Sequence, residues 1–547
     1  MNPKRIVIVG GVAGGMSAAT RLRRLDEQAQ IVVLERSAHV SFANCGLPYH
    51  VGGVIEQRDS LLLQTPQSLA ARFGLDVRVC HEATGVDAAA RRIKVRNLAD
   101  DSTYELDYDA LILSPGARPV RPPLPGIERA LSLRNVEDTD AIVAACADAS
   151  TAVVIGGGFI GIELAENLVH RGLRVGLVEA TDQVMPPIDP ELAAIVHERL
   201  RANAVDLRLG QSVTSIGAAD VALADGSRLP AEVVIAAIGV RPDTQLAESA
   251  GLALAEGGGI LVDQQFRTSE PSIYAIGDAV AKSDAIGECS ALVPLAQTAN
   301  LQGRRVADVI MGRAASDRPV LGTAIVGVFG LQVASTGWSE KRLRAAGRPY
   351  RAIHTHPAAH AGYYPGSTQI SLKLLVDPDT DEILGAQGVG EAGVDKRIDV
   401  IATAITGGIR ASELADLELA YAPQFGSAKD PINMLGWIAS NLRDGLTETI
   451  QWHELDAAIA DGATVVDVRT PAEHEANAIP GSVLIPLDEL RDRLAEVPAG
   501  DLVVHCAVGL RGYVATRILE QQRDGRGWGR VRNLDGGLKT WLAGTAS

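Results

Sequence analysis

Residues 153–161 read Val153-Val154-Ile155-Gly156-Gly157-Gly158-Phe159-Ile160-Gly161, and Ile162-Glu163-Leu164-Ala165 follows. An apolar strand runs into a glycine turn, and the turn opens a helix. The strand Val175-Gly176-Leu177-Val178 then ends at Glu179. Glycines 156, 158 and 161 suit, in turn, a tight bend, a close backbone approach to a pyrophosphate, and tight helix packing. One such fingerprint is weak evidence. A second opens the chain, where Ile6-Val7-Ile8-Val9 leads into Gly10-Gly11-Val12-Ala13-Gly14-Gly15, with Val12 in place of the usual second glycine. A helix is expected from Ser17 to Leu25, then a strand Ile31-Val32-Val33-Leu34 ending at Glu35, placed to accept ribose hydroxyls. Strands this uniformly apolar belong to parallel sheets covered on both faces. Two fingerprints predict an α/β chain with two Rossmann-like domains and two dinucleotides, one passing hydride to the other. Glu179 would repel a 2′-phosphate and no Arg follows directly, which favours NADH over NADPH.

Between the first fingerprint and the second lies Ser41-Phe42-Ala43-Asn44-Cys45-Gly46-Leu47-Pro48-Tyr49. Cys45 falls just beyond the carboxyl edge of the first sheet, where such folds bind their cofactor. A thiol there can face the redox ring of a bound dinucleotide. Gly46 and Pro48 constrain the local backbone more than a core-filling cysteine needs.

Composition narrows the class. At 547 residues the chain has room for several domains. Its net charge of −16 makes it a poor nucleic-acid binder, because phosphate neutralisation needs clustered Lys and Arg. Five cysteines, at 45, 80, 146, 289 and 506, are odd in number and scattered, which argues against a disulfide framework or a structural zinc site. They favour a reducing compartment with one or two reactive thiols; Cys80, Cys146 and Cys289 are read as unreactive. No apolar stretch is long enough to span a bilayer, so a soluble cytoplasmic protein is expected, without membrane or nucleic-acid partners. His354, His356 and His360 form no metal set along the sequence, having no acid or Cys spaced to complete one, and are read as loop or interface histidines. No metal is expected.

Thr268-Ser269-Glu270-Pro271-Ser272-Ile273-Tyr274-Ala275-Ile276-Gly277-Asp278 makes a wider likeness specific. Over residues 1 to about 440 the chain resembles the flavin-dependent pyridine-nucleotide disulfide oxidoreductases. Cys45 and its neighbours, His360-Ala361-Gly362-Tyr363-Tyr364-Pro365-Gly366, and the stretch from Tyr421 to Asn433 resemble the single-cysteine branch, the coenzyme A-disulfide and persulfide reductases. The resemblance implies FAD held by Gly10, Gly11, Ala13, Gly14, Gly15, Glu35, Arg36, Ser114, Gly116, Asp278 and Ala296. It implies NADH (or NADPH) at Gly156, Gly158, Gly161, Glu179 and Gly239, and coenzyme A at Arg24, Ser41 and Asn44. It also implies a homodimer in which Tyr364 and Tyr421 reach the other subunit's site, with Tyr363 adjacent and unranked against Tyr364. The cousins that reduce oxygen or peroxide carry a His where this chain has Ala13, and a methyl group cannot hydrogen-bond a sulfenate.

The pattern changes again near residue 446. Val465-Val466-Asp467-Val468-Arg469-Thr470-Pro471-Ala472-Glu473 reads as a strand and turn, and Leu502-Val503-Val504-His505 delivers Cys506-Ala507-Val508-Gly509-Leu510-Arg511 into a helix. Backbone N–H groups, a helix start and Arg511 suit a thiolate or persulfide at Cys506. The segment resembles a rhodanese domain. Four residues lie between Cys506 and Arg511, as in sulfurtransferases rather than the longer-looped phosphatases.

The expected organisation is an FAD domain in two parts (1–150 and 276–325), an NADH domain (151–275), an α+β dimerisation domain (326–445) and an α/β rhodanese domain (446–547). The expected activity is NADH- and FAD-dependent reduction of a persulfide or polysulfide, coenzyme A persulfide included, through Cys45, with Cys506 relaying sulfane sulfur. Reduction of coenzyme A disulfide for thiol maintenance is the alternative. A non-enzymatic sulfur carrier or sensor is the third reading.

Overall fold

The structure, a computed structural model, describes residues 3–546. It forms two compact units, one from the chain up to Asp182 with Ala204–Gly322, the other from Gln183–Asn203 with the chain from Thr323 onward. Among the described residues no helix is long and apolar enough to cross a membrane.

The first unit contains both fingerprints. Five parallel strands run in the order Ile273–Ala275, Ala110–Leu113, Arg5–Val9, Gln30–Glu35, Asp76–Val79. Successive side chains on a strand point to opposite faces. Ile6, Ile8, Ile31, Val33 and Ile112 accordingly enter one core, and Val7, Val32, Leu34, Leu111 and Leu113 enter another. The unbroken apolar runs therefore mark a sheet covered on both sides. A four-stranded parallel sheet, Asp206–Arg208, Arg174–Val178, Thr151–Ile155, Val233–Ala236, carries the second fingerprint.

The first fingerprint helix runs Ala13–Leu25, four residues earlier than expected, because Gly14 and Gly15 are themselves helical. A Cβ on Gly15 would stand 1.9 Å from the Gly10 carbonyl oxygen, and one on Gly161 would stand 1.9 Å from that of Gly156. Only glycine lets each helix, Ala13–Leu25 and Phe159–His170, start this close to its strand.

The second unit joins an antiparallel sheet to a parallel one. Strands Ala324–Val328, Leu331–Gly337, Ile383–Gly390, Ser371–Val376 and Arg351–Thr355 pair antiparallel in that order. Helices Val394–Gly407 and Pro431–Arg443 share an apolar core with them through Ile398, Ile401, Ile432 and Leu435. The parallel sheet runs Glu448–Ile450, Trp528–Leu534, Gly500–His505, Thr464–Asp467, Val483–Leu484. Its central strand ends at His505, directly before Cys506.

Candidate active site

The two glycine turns are braced alike. Gly11 N–H donates to Glu35 Oε2 at 2.7 Å, and Gly157 N–H donates to Glu179 Oε2 at 2.7 Å. The second carboxylate oxygens accept from Ser37 and Thr181. No side chain caps either helix and no acidic residue lies in either first turn, so the N–H groups at these starts are available to a phosphate. A Cβ at Gly158 would meet nothing within 4 Å, which leaves the approach open. These features fit two dinucleotides.

Ser114 and Gly116 follow the strand Ala110–Leu113, and Asp278 sits in the turn Gly277–Ala279, 3.2 Å from Arg134. Ala296 begins the helix Ala296–Ile310, and Gly239, at φ +104°, follows Val233–Ala236. Arg36 pairs with Asp243 at 3.5 Å, and Arg24 is exposed on the first helix.

Cys45 sits exposed in the short turn Asn44–Gly46, ahead of the helix Leu47–Val51. Ser41 N–H reaches back to the Gly11 carbonyl at 2.8 Å, which ties the cysteine segment to the first fingerprint. Asn44 Nδ2 donates to the Arg134 carbonyl at 2.9 Å. Partial burial pushes the Cys45 thiol up, Glu163 and Asp278 push it further, and Arg134 pulls it down. Glu163 lies on the second fingerprint helix and accepts from Tyr49 Oη at 3.2 Å. Burial raises its carboxyl to about 7. Burial and Glu163 together raise the Tyr49 phenol to about 12. The chain's own charges thus favour a neutral thiol at Cys45, and Arg134 opposes them.

In the second unit Tyr363 and Tyr421 meet, Oη to Oη, at 3.0 Å, and both are exposed. Tyr364 instead sets its ring edge-on to His360. The hydroxyl pair joins Tyr421 to Tyr363, not to Tyr364.

The other thiol is built from Asp467 outward. Arg469 grips this buried carboxylate through Nε and Nη2, and His474 Nδ1 lies 2.9 Å from it. Thr470 and Glu473 form a reciprocal cap on the helix Pro471–Ala476. Glu473, so placed, takes both terminal nitrogens of Arg511, at 2.8 and 2.6 Å. The Arg511 guanidinium, with the cap, holds the Glu473 carboxyl down to about 2. Cys506 is buried, and its Sγ accepts the Gly509 N–H at 3.2 Å. One backbone N–H, that of Gly509, reaches the Cys506 sulfur, and Arg511 has a carboxylate partner.

His354 differs from its reading as a loop or interface residue, while His356 and His360 lie outside helix and strand. His354 lies in the strand Arg351–Thr355, between Glu191 at 2.9 Å and Asp535 at 2.7 Å. Burial opposes its charge, yet Asp535 and Glu191 raise it to about 9. His356 is buried between Ser371 and Thr540, and burial keeps it neutral. Next to His354 the carboxylates of Asp189, Glu191 and Glu340 converge as a cation site would. The Lys373 ammonium occupies their centre, 3.0, 2.6 and 2.5 Å from the three.

Sequence reasoning missed Arg134, Glu163, Glu473 and Lys373. Three carried a signal. Glu163 interrupts an otherwise apolar helix start, Lys373 interrupts Ser371-Leu372-Lys373-Leu374-Leu375, and Thr470 with Glu473 has capping-box spacing. Arg134 carried none, since it reaches Asp278 across 144 residues.

Comparison with known proteins identifies the family. The family description "Pyridine nucleotide-disulphide oxidoreductase" matches residues 4–303, its dimerisation domain matches 323–430, and the rhodanese-like domain matches 451–544. A coenzyme A disulfide reductase of Staphylococcus haemolyticus is 34% identical over 446 residues, 80% of this chain and all of that one. The solved structure of reduced Bacillus anthracis CoADR-RHD is 48% identical with a TM-score of 0.97, covering 99% of this chain and 98% of that one. A NAD-dependent persulfide reductase from A. fulgidus is 38% identical with a TM-score of 0.91, covering 98% of this chain and all of that one. The chain is an oxidoreductase with a rhodanese-like domain at its C-terminal end, and it belongs to the pyridine nucleotide-disulphide oxidoreductase family.

Proposed function

We propose that the protein is a cytoplasmic homodimer that reduces persulfides and polysulfides, coenzyme A persulfide among them, with electrons from NADH by way of FAD. One observation supports the choice of substrate: the chain carries a rhodanese-like module whose Cys506 Sγ accepts a backbone N–H, a loop suited to sulfane sulfur. The persulfide reductase and CoADR-RHD are both matched from end to end, that module included, so reduction of coenzyme A disulfide is the second reading.

Cys45 acts as thiolate, because the thiolate is the nucleophile. It attacks the outer sulfur of R–S–SH, forming Cys45–S–SH and releasing R–S⁻. FAD held at the first glycine turn would supply two electrons drawn from NADH at the second. Two electrons and one proton return Cys45–S–SH to the thiolate and release hydrogen sulfide. Arg134 is the residue of this chain that favours the thiolate against Glu163 and Asp278. The Gly11–Glu35 and Gly157–Glu179 braces hold the turns that receive FAD and NADH. Tyr363 and Tyr421, contributed by the other subunit, protonate the leaving thiolate. Arg24, Ser41 and Asn44 bind the coenzyme A portion. Cys506 collects sulfane sulfur and passes it on as a persulfide, and fusion of the modules raises its effective concentration near Cys45.

The test is Cys506→Ala. Turnover of coenzyme A disulfide should persist, while turnover of sulfane sulfur delivered as thiosulfate should be lost. Undiminished use of both would remove Cys506 from the pathway.

A further inference from the structure

The second unit contains a cavity of about 890 Å³ that no step of the reductase or of the sulfur-transfer loop uses. One wall is the helix Pro190–Ala202, with Leu192 and Ile195. The facing wall is the helix Gly537–Thr545, with Leu538 and Leu542. Ala507 and Val508, the residues after Cys506, close one end, while Cys506 itself does not line the space. Cavities of this size and apolar character take small molecules.

The charges select the ligand. Lys539 lines the cavity, and among the described residues its ammonium has one side-chain partner, the neutral Gln369 amide. Partial burial pushes its pKa down, with no carboxylate restoring it. The Glu191 carboxylate that also lines the space is already held by Lys373 and His354. Arg201 and Glu198 lie at the solvent side, opposite in sign. Of the two lining side chains Lys539 and Arg201, Lys539 is the half-buried one, and among the described residues its ammonium has no carboxylate partner; Arg201 is exposed, and the walls mix aliphatic side chains with His197, His354, His356 and Thr540. A multiply charged phosphate would need a further cation at the depth of Lys539. A single carboxylate on an apolar chain matches both features.

We propose that this cavity binds a small amphipathic monoanion, a carboxylate with an aliphatic body, whose head pairs with Lys539. The site adjoins the sulfur loop mechanically. Leu538 N–H holds the Cys506 carbonyl at 2.8 Å and Lys539 N–H holds the Ala507 carbonyl at 3.0 Å, so the residue that meets the anion also anchors the loop.

Titration calorimetry of the FAD-loaded full-length protein with decanoate tests the proposal. One decanoate per chain should bind. Lys539→Gln should weaken binding at least tenfold, and Ala543→Phe, which fills the space, should abolish it, with NADH reduction of the flavin unchanged in both. Should either variant fail to fold, decan-1-ol on the wild-type protein serves instead and should bind at least tenfold more weakly than decanoate. Absence of saturable decanoate binding, equal binding by both variants, or equal binding of the alcohol would overturn the proposal.

Discussion

Arg511 holds Glu473 through two parallel hydrogen bonds, at 2.8 and 2.6 Å, and the same carboxylate caps the helix Pro471–Ala476 through Thr470. A short-range capping motif thereby orients the cation nearest Cys506. The bidentate geometry fixes the guanidinium plane as a single contact would not. Glu473 is a positioning residue: it acts on the sulfur site through Arg511.

Glu473→Gln should therefore slow sulfur transfer from thiosulfate to cyanide about tenfold, the weight of one charge-assisted hydrogen bond, with NADH-dependent turnover at Cys45 unchanged. Because the carboxyl is depressed to about 2, its hold on Arg511 is complete above the ordinary carboxylate range and fades only as pH falls through about 2. The wild-type pH profile of sulfur transfer should show no limb from Glu473 near pH 4 to 5.

Glu163 bears on Cys45 by charge. Its carboxyl titrates at about 7, and its ionised form pushes the thiol up. Glu163→Gln should lower the Cys45 pKa, seen as a shift to lower pH in the alkylation rate of the NADH-reduced protein by iodoacetamide. An unchanged or raised midpoint would separate the two residues.

Lys373 is fully buried among three carboxylates. Removing one partner of a buried ionic group leaves uncompensated charge, at a cost of roughly 3–5 kcal/mol. Lys373→Met should destabilise the second unit by that order, read as a fall in its denaturant midpoint at unchanged slope. A variant as stable as wild type would show that the carboxylates simply take up protons.

His354 faces Glu191 and Asp535 directly, with Lys373 and His356 beside it. Its folded pKa of about 9 exceeds the ordinary histidine value. The associated stability is complete below about 6.5 and is lost as pH rises through about 9. Thermal unfolding of the second unit should fall across that window, and His354→Gln should flatten the fall.

Much of this was legible in residue order. Apolar runs before the glycine turns specified parallel sheets, because strands with two buried faces lack alternation. Glu35 and Glu179 were legible from their distance to the turns, and Cys506 from its place at a strand-to-helix junction. The tyrosine pairing was not, because the backbone direction at Tyr363 and Tyr364 decides which hydroxyl meets Tyr421. His354 was not either. Its carboxylate partners lie 163 and 181 residues away, so no local spacing announces them.

The most direct measurement is anaerobic NADH oxidation by the wild-type protein with coenzyme A persulfide and coenzyme A disulfide side by side. A large preference for the persulfide, one sulfide released per NADH consumed, and loss of that activity in Cys45→Ala is the expected result. A preference for the disulfide, with no sulfide from the persulfide, would contradict sulfane-sulfur reduction and make this a thiol-maintenance enzyme.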